Sequence, residues 1–86
     1  MADAAIVEQL ITMIASELDI NVKPENLNEG SLLFEEGLGL DSIAIMELIV
    51  LIEKAFDIQF SDSELTFEPF ENIGILADFI VNKKVN

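Results

Sequence analysis

The sequence predicts an all-α protein, a small four-helix bundle with three longer helices, one short third helix and a long first loop. Three observations favour this fold. The chain has 86 residues, of which 51% are hydrophobic, so it can bury one core but is too short for two. Apolar residues recur at helical spacing in three stretches, and most of the glycines, prolines and asparagines lie between them. We therefore expect residues 1–86 to form a single domain.

The composition is strongly acidic. The chain has 17 acidic residues against 4 lysines, which gives a formal net charge of -13 at pH 7. Nucleic acids and anionic membrane surfaces both attract clustered basic residues, so we expect neither as a partner and no stable membrane insertion. The charge favours docking on basic patches of other proteins instead.

Two residue types that carry much of enzyme and metal chemistry are absent. The chain has no cysteine and no histidine, which excludes disulfides and thiolate catalysis and removes the commonest general base and metal ligand. The sequence therefore predicts no catalytic residue, no metal site and no enzymatic activity of its own. It also shows no basic start of a secretory signal and no apolar run of about 18 residues, which is typical of a cytoplasmic protein, and we expect a monomer.

The first helix is predicted over residues 4–19, where apolar residues fill one broad face. A long connection then runs from about Ile20 to Asp41, with Pro24 and several glycines as helix breakers. Connections of this length are uncommon in compact domains and are often functional. Because its apolar residues are too many for a free loop, we expect the connection to pack on the core. These residues are Leu27, Leu32, Leu33, Phe34, Leu38 and Leu40.

The second helix is predicted over residues 42–56, and its apolar residues surround most of its circumference. One arc is the expected core face and comprises Ile45, Leu48, Ile49, Ile52, Ala55 and Phe56. The opposite arc would be polar in an ordinary surface helix, yet it holds Ile43, Met46, Val50 and Leu51. Either the bundle covers this helix on both sides, or the second arc is a docking face or the wall of a ligand cleft.

Shorter elements complete the predicted bundle. Ser61 and Glu64 form a capping box that predicts a short third helix through about Thr66. The last helix is expected near residues 72–83, with Asn72 as its N-cap. Gly74 lies in its first turn, where glycine costs about 1 kcal/mol relative to alanine, so we expect that turn to fray.

The junction of Asp41 and Ser42 is the main candidate site. A serine or aspartate before an apolar run is most often only an N-cap. Asp41 can serve as that cap, which leaves the Ser42 hydroxyl in the first turn and open to solvent. A helix N-terminus also favours a phosphate ester, because its free N–H groups and dipole attract anions. No basic residue is near Ser42 in sequence, so another enzyme would have to activate its hydroxyl.

This junction and its surroundings resemble the acyl carrier proteins. The signature of that family is Gly-x-Asp-Ser, then an apolar residue, with an acid five positions after the serine. Here these residues are Gly39, Asp41, Ser42, Ile43 and Glu47. The resemblance covers nearly the whole chain, from "NVKPENLNEGSLL" to "FENIGILADFI". It implies a four-helix bundle whose serine receives 4'-phosphopantetheine from coenzyme A, transferred by a separate magnesium-dependent phosphopantetheinyl transferase.

The same resemblance implies roles for individual residues. Ser42 would be the attachment site, and Asp41 would take part in recognition by the transferase. The face of the second helix that meets partner enzymes would comprise Ile43, Met46, Glu47, Val50 and Glu53. The implied partners are the transferase and acyl-transferring and condensing enzymes with basic docking patches. The prosthetic group would carry acyl intermediates as thioesters for fatty acid, specialised lipid or polyketide biosynthesis.

Several alternatives stay open at the level of sequence. Ala44 stands where many family members have a second acid, and Lys54 stands where a further acid is frequent. These departures leave open a dedicated carrier as well as a carrier of general fatty acid synthesis. An aminoacyl or peptidyl carrier of the same fold is an alternative. A different class is an unmodified acidic helical interaction module in which Ser42 is only a cap.

Overall fold

A computed structural model of the protein describes residues 3–18, 20–34 and 37–85. Its helices are α1 (Ala4–Glu17), α2 (Ser42–Phe56) and α3 (Ile73–Val85), and 3₁₀ turns form at Pro24–Asn26, Asp62–Glu64 and Glu68–Phe70. No strand forms in this part of the chain, so the predicted all-helical fold class is confirmed. The short third helix takes the form of a three-residue 3₁₀ turn, and a second such turn follows it.

Helix α1 begins at a cap provided by Asp3. Its Oδ1 accepts the N–H of Ala5 at 2.9 Å and the N–H of Ile6 at 3.3 Å, which satisfies two of the free donors at the helix start. The helix ends at Glu17, two residues before the predicted end, because Leu18 adopts extended backbone and buries its side chain in the core. The predicted end at Asp19 lies outside the described residues.

One apolar core joins the three helices and the connection. Its buried members are Val7, Leu10, Ile14, Leu18, Leu27, Leu33, Leu40, Ile45, Leu48, Ile52, Phe56, Phe70, Ile73, Leu76, Ala77 and Ile80. The predicted core face of α2 is confirmed at Ile45, Leu48, Ile52 and Phe56, which are buried. Ile49 is half-buried, and Ala55 is exposed. No polar or charged side chain among the described residues is buried, so burial of apolar surface holds this core together.

The long connection packs on the core as predicted, and it is tied to the start of α3. Leu33 is fully buried, and its N–H donates to the carbonyl oxygen of Glu71 at 3.3 Å. The N–H of Gly74 donates to the carbonyl oxygen of Glu29 at 2.7 Å. These hydrogen bonds hold the connection, and with it the start of α2, against the first turn of α3.

Gly74 has a role that the sequence analysis missed. A Cβ atom on Gly74 would lie 3.0 Å from the carbonyl oxygen of Glu29, so glycine permits the close approach of the two segments. Asn72 caps α3 as predicted, since its Oδ1 accepts the N–H of Ile75 at 2.8 Å. The first turn of α3 is thus held by the hydrogen bond from Gly74 and by the cap at Asn72, whereas it was expected to fray.

The segment after α2 is fixed by the predicted capping box and by the end of α3. The N–H of Ser61 donates to Glu64 Oε1 at 2.8 Å, and Lys83 Nζ lies 2.9 Å from the same oxygen. The backbone hydrogen bond from Ser61, and then Lys83, lower the pKa of Glu64 below its ordinary value. Lys84 Nζ donates to the carbonyl oxygen of Phe56 at 3.2 Å, which ties α3 to the end of α2.

Candidate functional site

Asp41, and not Ser42, caps α2. Asp41 has extended backbone, and its Oδ1 accepts the N–H of Ala44 at 2.9 Å. Ser42 is the first residue of the helix and is exposed. No hydrogen bond joins its side chain to any of the described residues. The prediction that Asp41 is the cap is therefore confirmed, and the Ser42 hydroxyl is accessible.

Two backbone donors at the start of α2 have no partner in the part of the chain that the structure describes. The carbonyl oxygen of Asp41 accepts the N–H of Ile45 at 2.9 Å. The N–H groups of Ser42 and Ile43 have no acceptor within residues 3–18, 20–34 and 37–85. A phosphate ester on Ser42 would therefore lie at the positive end of the helix, next to these two N–H groups. The residues at this junction fit a phosphodiester on Ser42 Oγ.

A tight turn leads into the junction. Gly39 has a φ of 69°, in the left-handed region that favours glycine. A Cβ atom on Gly37 would collide with the carbonyl oxygen of Leu32. The carbonyl oxygen of Phe34 accepts the N–H groups of both glycines at 2.9 Å. The turn therefore requires these glycines, and it places Leu40 in the core directly before the capping residue.

The outer arc of α2 is open to solvent at three of its four apolar positions, whereas Leu51 is half-buried against the core. Ile43, Met46 and Val50 have exposed fractions of 75%, 67% and 47%, and Glu47 is exposed among them. Isolated exposed apolar residues are ordinary, but three of them in one strip indicate a surface that meets other molecules. The sequence left open whether the bundle covers this strip. The structure shows that it does not.

Glu53 differs from the other four residues expected on the partner face. It is half-buried, and its Oε2 accepts the N–H of Phe60 at 2.9 Å. This hydrogen bond fixes the chain beyond α2, which ends at Phe56 and is followed by Asp57 with left-handed backbone at a φ of 55°. A substitution of Glu53 would therefore alter the fold locally as well as the surface charge.

A cleft of about 1040 Å³ opens beside Ser42. Helix α2 supplies part of its lining, and the connection and the segment from 65 to 71 supply the rest. Its apolar residues are Leu32, Phe34, Leu40, Ile45, Met46, Ile49, Val50, Leu65, Phe67 and Phe70. Its polar residues are Asp41, Ser42, Thr66 and Glu71, all of which are exposed and so lie at its solvent edge.

The side of this cleft that faces α2 is formed by two segments that the sequence alone did not bring together. The rings of Phe34 and Phe67 stack with their centroids 4.8 Å apart and an interplanar angle of 25°. Phe67 is 58% exposed and Leu65 is 48% exposed. The sequence does place a phenylalanine before and another after the Ser42 junction, at positions 34 and 67. No helical periodicity relates these two positions, so their contact was not predicted.

The charged groups of the described residues stay at the surface. No three acidic side chains in these ranges converge closely enough to hold a metal ion. Over the same residues, no helix combines the length and the apolar character needed to cross a bilayer. The formal net charge of -13 gives the protein an overall negative potential.

Comparison with known families and curated proteins gives one consistent result. A family model described as the phosphopantetheine attachment site matches residues 8–80. The acyl carrier protein of Chlorobium phaeobacteroides is 33% identical over 86 residues, which cover 96% of this chain and 100% of that protein. The acyl carrier protein of Wolinella succinogenes is 31% identical over 80 residues, which cover 93% of this chain and 99% of that protein.

Solved structures agree with this result. The solution structure of a holo acyl carrier protein from Nitrosomonas europaea matches with a TM-score of 0.80 and 28% identity, covering 93% of this chain and 96% of that one. A second match has a TM-score of 0.72 and 26% identity and covers 88% of this chain and 97% of that one. It comes from the complex of an engineered Bradyrhizobium japonicum glycine:carrier protein ligase with a carrier protein from Agrobacterium tumefaciens and ATP. The chain belongs to the acyl carrier proteins, which carry acyl groups as thioesters on 4'-phosphopantetheine.

Proposed function

We propose that Ser42 is the residue that receives 4'-phosphopantetheine and that residues 1–86 act as one carrier domain. The observation that carries this proposal is the exposed Ser42 hydroxyl in the first turn of α2, left free because Asp41 alone caps the helix. The matched family region, residues 8–80, includes this position.

The other serines support the choice of Ser42, because each of them is engaged. Ser16 Oγ donates to the carbonyl oxygen of Thr12 at 2.6 Å, and Ser31 Oγ accepts the N–H of Asn28 at 2.9 Å. The hydroxyl oxygens of Ser61 and Ser63 lie 3.1 Å apart. Ser42 alone among the serines of the described residues combines an exposed hydroxyl with a helix N-terminus and no side-chain hydrogen bond.

The chemistry of loading requires little from this chain. The Ser42 Oγ–P bond forms, a P–O bond of the pyrophosphate in coenzyme A breaks, and the adenosine bisphosphate portion leaves. No basic residue lines the cleft beside Ser42, so the hydroxyl proton passes to a base of the transferase. When bound, the group supplies the thiol that this cysteine-free chain lacks. The chain is a substrate and carrier and has no catalytic residue of its own.

The exposed strip of α2 is the proposed docking face for partner enzymes. Ile43, Met46 and Val50 supply apolar contact area, and Glu47 supplies negative charge within the same strip. Glu53 adds charge nearby. With a net charge of -13, the protein attracts the basic patches proposed for the transferase and for acyl-transferring and condensing enzymes. We place this work in the cytoplasm and assign it to the monomer.

An aminoacyl carrier is the second candidate within the same class. One structural relative is a carrier protein in complex with a glycine:carrier protein ligase. The apolar lining of the cleft beside Ser42 supports an acyl chain over an aminoacyl group.

The candidate of a different class is an unmodified interaction module. It predicts that replacement of Ser42 changes only the stability of the protein.

Intact-mass measurement after incubation with coenzyme A, Mg²⁺ and a phosphopantetheinyl transferase tests the proposal. We expect the wild type to gain the mass of one phosphopantetheine group and Ser42→Ala to gain nothing. The matched control is Ser63→Ala, because Ser63 also follows an aspartate, Asp62, but lies in a 3₁₀ turn. It should load as the wild type does. A wild type that stays unmodified, or a Ser42→Ala variant that still gains the group, would refute the assignment.

A further inference from the structure

We propose that Lys54 is a specificity-determining residue for the partners that dock on α2. Its charge disfavours an enzyme with a uniformly basic docking surface and favours one that places an acidic side chain opposite the C-terminal end of this helix. The docking strip denotes the exposed residues Ile43, Met46, Glu47 and Val50. This inference rests on the proposed function, because it concerns the partners that meet this strip, and it adds a requirement opposite in sign to the general attraction of basic surfaces.

Lys54 lies at the C-terminal end of the docking strip. It follows Val50 by four residues and Glu47 by seven, which places it on the same side of the helix, about one and two turns further on. It is exposed and belongs to the last turn of α2. At the helical rise per residue, Glu47 and Lys54 are about 10 Å apart along the axis. The strip and its end therefore present one negative and one positive charge to an approaching partner.

The charge of Lys54 is unpaired among the described residues. No hydrogen bond or ion pair joins its Nζ to any residue that the structure describes. The two lysines of α3 differ, because Lys83 pairs with Glu64 and Lys84 donates to the carbonyl oxygen of Phe56. The charges of those two lysines hold elements of the fold together, whereas the charge of Lys54 is available to a partner.

Two effects within the protein act on Lys54. It lines a groove of about 690 Å³ between α1 and α2, and the exposed acids Glu8 and Glu17 line the same groove. Water and salt screen exposed charges that are not in contact, so these acids neutralise little of the charge of Lys54. A lysine in the last turn also interacts favourably with the helix dipole. A role in partner choice must therefore be separated from a contribution to the stability of α2.

The position of Lys54 determines what a partner gains or loses by docking. The formal net charge of -13 attracts basic surfaces over a distance. At contact, however, a basic group opposite Lys54 meets a like charge, which is costly in an interface. An acidic group at the same place forms a pair with Lys54, while basic groups opposite Glu47 keep their attraction. Because interfaces commonly obtain specificity from such repulsive contacts, α2 should discriminate among partners that the net charge attracts equally.

Loading kinetics with a broad-specificity phosphopantetheinyl transferase, one whose carrier-binding surface is basic throughout, test this inference. At low salt, Lys54→Glu should raise kcat/KM for loading by roughly fivefold, because a like-charge contact becomes an attractive one. Lys23→Glu is the matched control, since it makes the same change of charge at an exposed residue of the connection. It should change kcat/KM by less than about twofold, the effect of net charge alone. The gain for Lys54→Glu should vanish at about 0.5 M salt.

Lys54→Gln separates partner choice from helix stability, because it removes the charge without reversing it. Its urea midpoint should fall slightly if the lysine stabilises the helix end, and its kcat/KM should still exceed that of the wild type. A lower urea midpoint with an unchanged kcat/KM would assign Lys54 a structural role only and would overturn the inference.

Charge reversal on the transferase supplies the second measurement. Each basic residue of its carrier-binding surface is replaced in turn by glutamate, and each transferase variant is tested on the wild-type carrier and on Lys54→Glu. At one position at least, the preference should invert, so that the wild type is loaded faster than Lys54→Glu. Equal kcat/KM for Lys54→Glu and Lys23→Glu, or no position with an inverted preference, would overturn the role of Lys54. Normal loading of the wild type with either result refutes this role alone, whereas a wild type that does not load refutes the proposed function and this role with it.

Discussion

The carboxylate of Asp41 accepts the N–H of Ala44 at 2.9 Å, so the residue before Ser42 closes the start of α2. The two adjacent residues therefore have separate tasks. Asp41 satisfies the helix terminus, and Ser42 presents a hydroxyl that has no hydrogen-bond partner among the described residues. This separation makes it possible to alter the cap and the proposed attachment residue independently.

Replacement of Asp41 by alanine should lower the free energy of unfolding by about 1 kcal/mol, the usual contribution of an N-cap. Asp41→Asn should keep most of this stability, because asparagine also caps well, while it removes the charge expected to help recognition by the transferase. Urea unfolding of both variants measures the difference. Equal stability of the alanine and asparagine variants would mean that another residue, such as Ser42, can cap α2.

Gly74→Ala should destabilise the protein although alanine is the better helix former by about 1 kcal/mol. The added Cβ would lie 3.0 Å from the carbonyl oxygen of Glu29 and would strain the 2.7 Å hydrogen bond to it. Asn82→Ala is the control, since Asn82 is an exposed residue of the same helix and should be neutral or slightly stabilising. A Gly74→Ala variant with a higher urea midpoint would contradict the close contact.

Local signals in the sequence were sufficient to predict much of the fold. The bounds of α2 and its cap at Asp41 follow from an apolar run that begins after a capping residue. The Ser61–Glu64 capping box also forms as predicted. It initiates only a 3₁₀ turn, which ends at Glu64 because Leu65 departs from helical backbone. The next turn begins at Glu68, with Pro69 as its second residue.

Contacts between distant segments could not be predicted in this way. Two such contacts are the isolated bridge between Leu32 and Asn72 and the hydrogen bond between Gly74 and Glu29. Each joins residues about forty positions apart, and no periodicity in the sequence indicates them. The stack of Phe34 on Phe67 joins the same two parts of the chain. The attachment residue was therefore predictable from its motif, whereas the side of the cleft that faces α2 required the three-dimensional structure.

Charge reversal at Glu47 should weaken recognition by the transferase without affecting the fold. Glu47 is exposed within the apolar strip of α2, so Glu47→Lys should lower kcat/KM for loading at low salt by roughly tenfold, which corresponds to about 1.4 kcal/mol. Glu8→Lys is the control, because it makes the same change at an exposed position of α1. Equal loss in both variants would indicate a general effect of net charge and no docking role for Glu47.

The ties of Glu64 predict a pH dependence of stability. Because the Ser61 N–H and Lys83 hold the pKa of Glu64 below its ordinary value, the ionised carboxylate stabilises the folded state. This contribution is present above the unfolded-state pKa and is lost as the pH falls through the lower folded-state pKa. Urea midpoints of wild type and Glu64→Gln should therefore differ at neutral pH and converge in acid.

The control for this measurement is Glu68→Gln, an exposed position without side-chain hydrogen bonds in the described part of the chain. Its difference from the wild type should be small throughout the titration. A gap between wild type and Glu64→Gln that stays constant or widens towards acid pH would show that the carboxylate has no stabilising charge.

Fragment mass spectrometry of the loaded protein tests the central claim most directly. After incubation with coenzyme A and a phosphopantetheinyl transferase, each fragment reports which serine carries the added group. We expect one phosphopantetheine group per chain, located on Ser42 and on no other residue. A group found on Ser16, Ser31, Ser61 or Ser63, or a chain with no added group, would contradict the account.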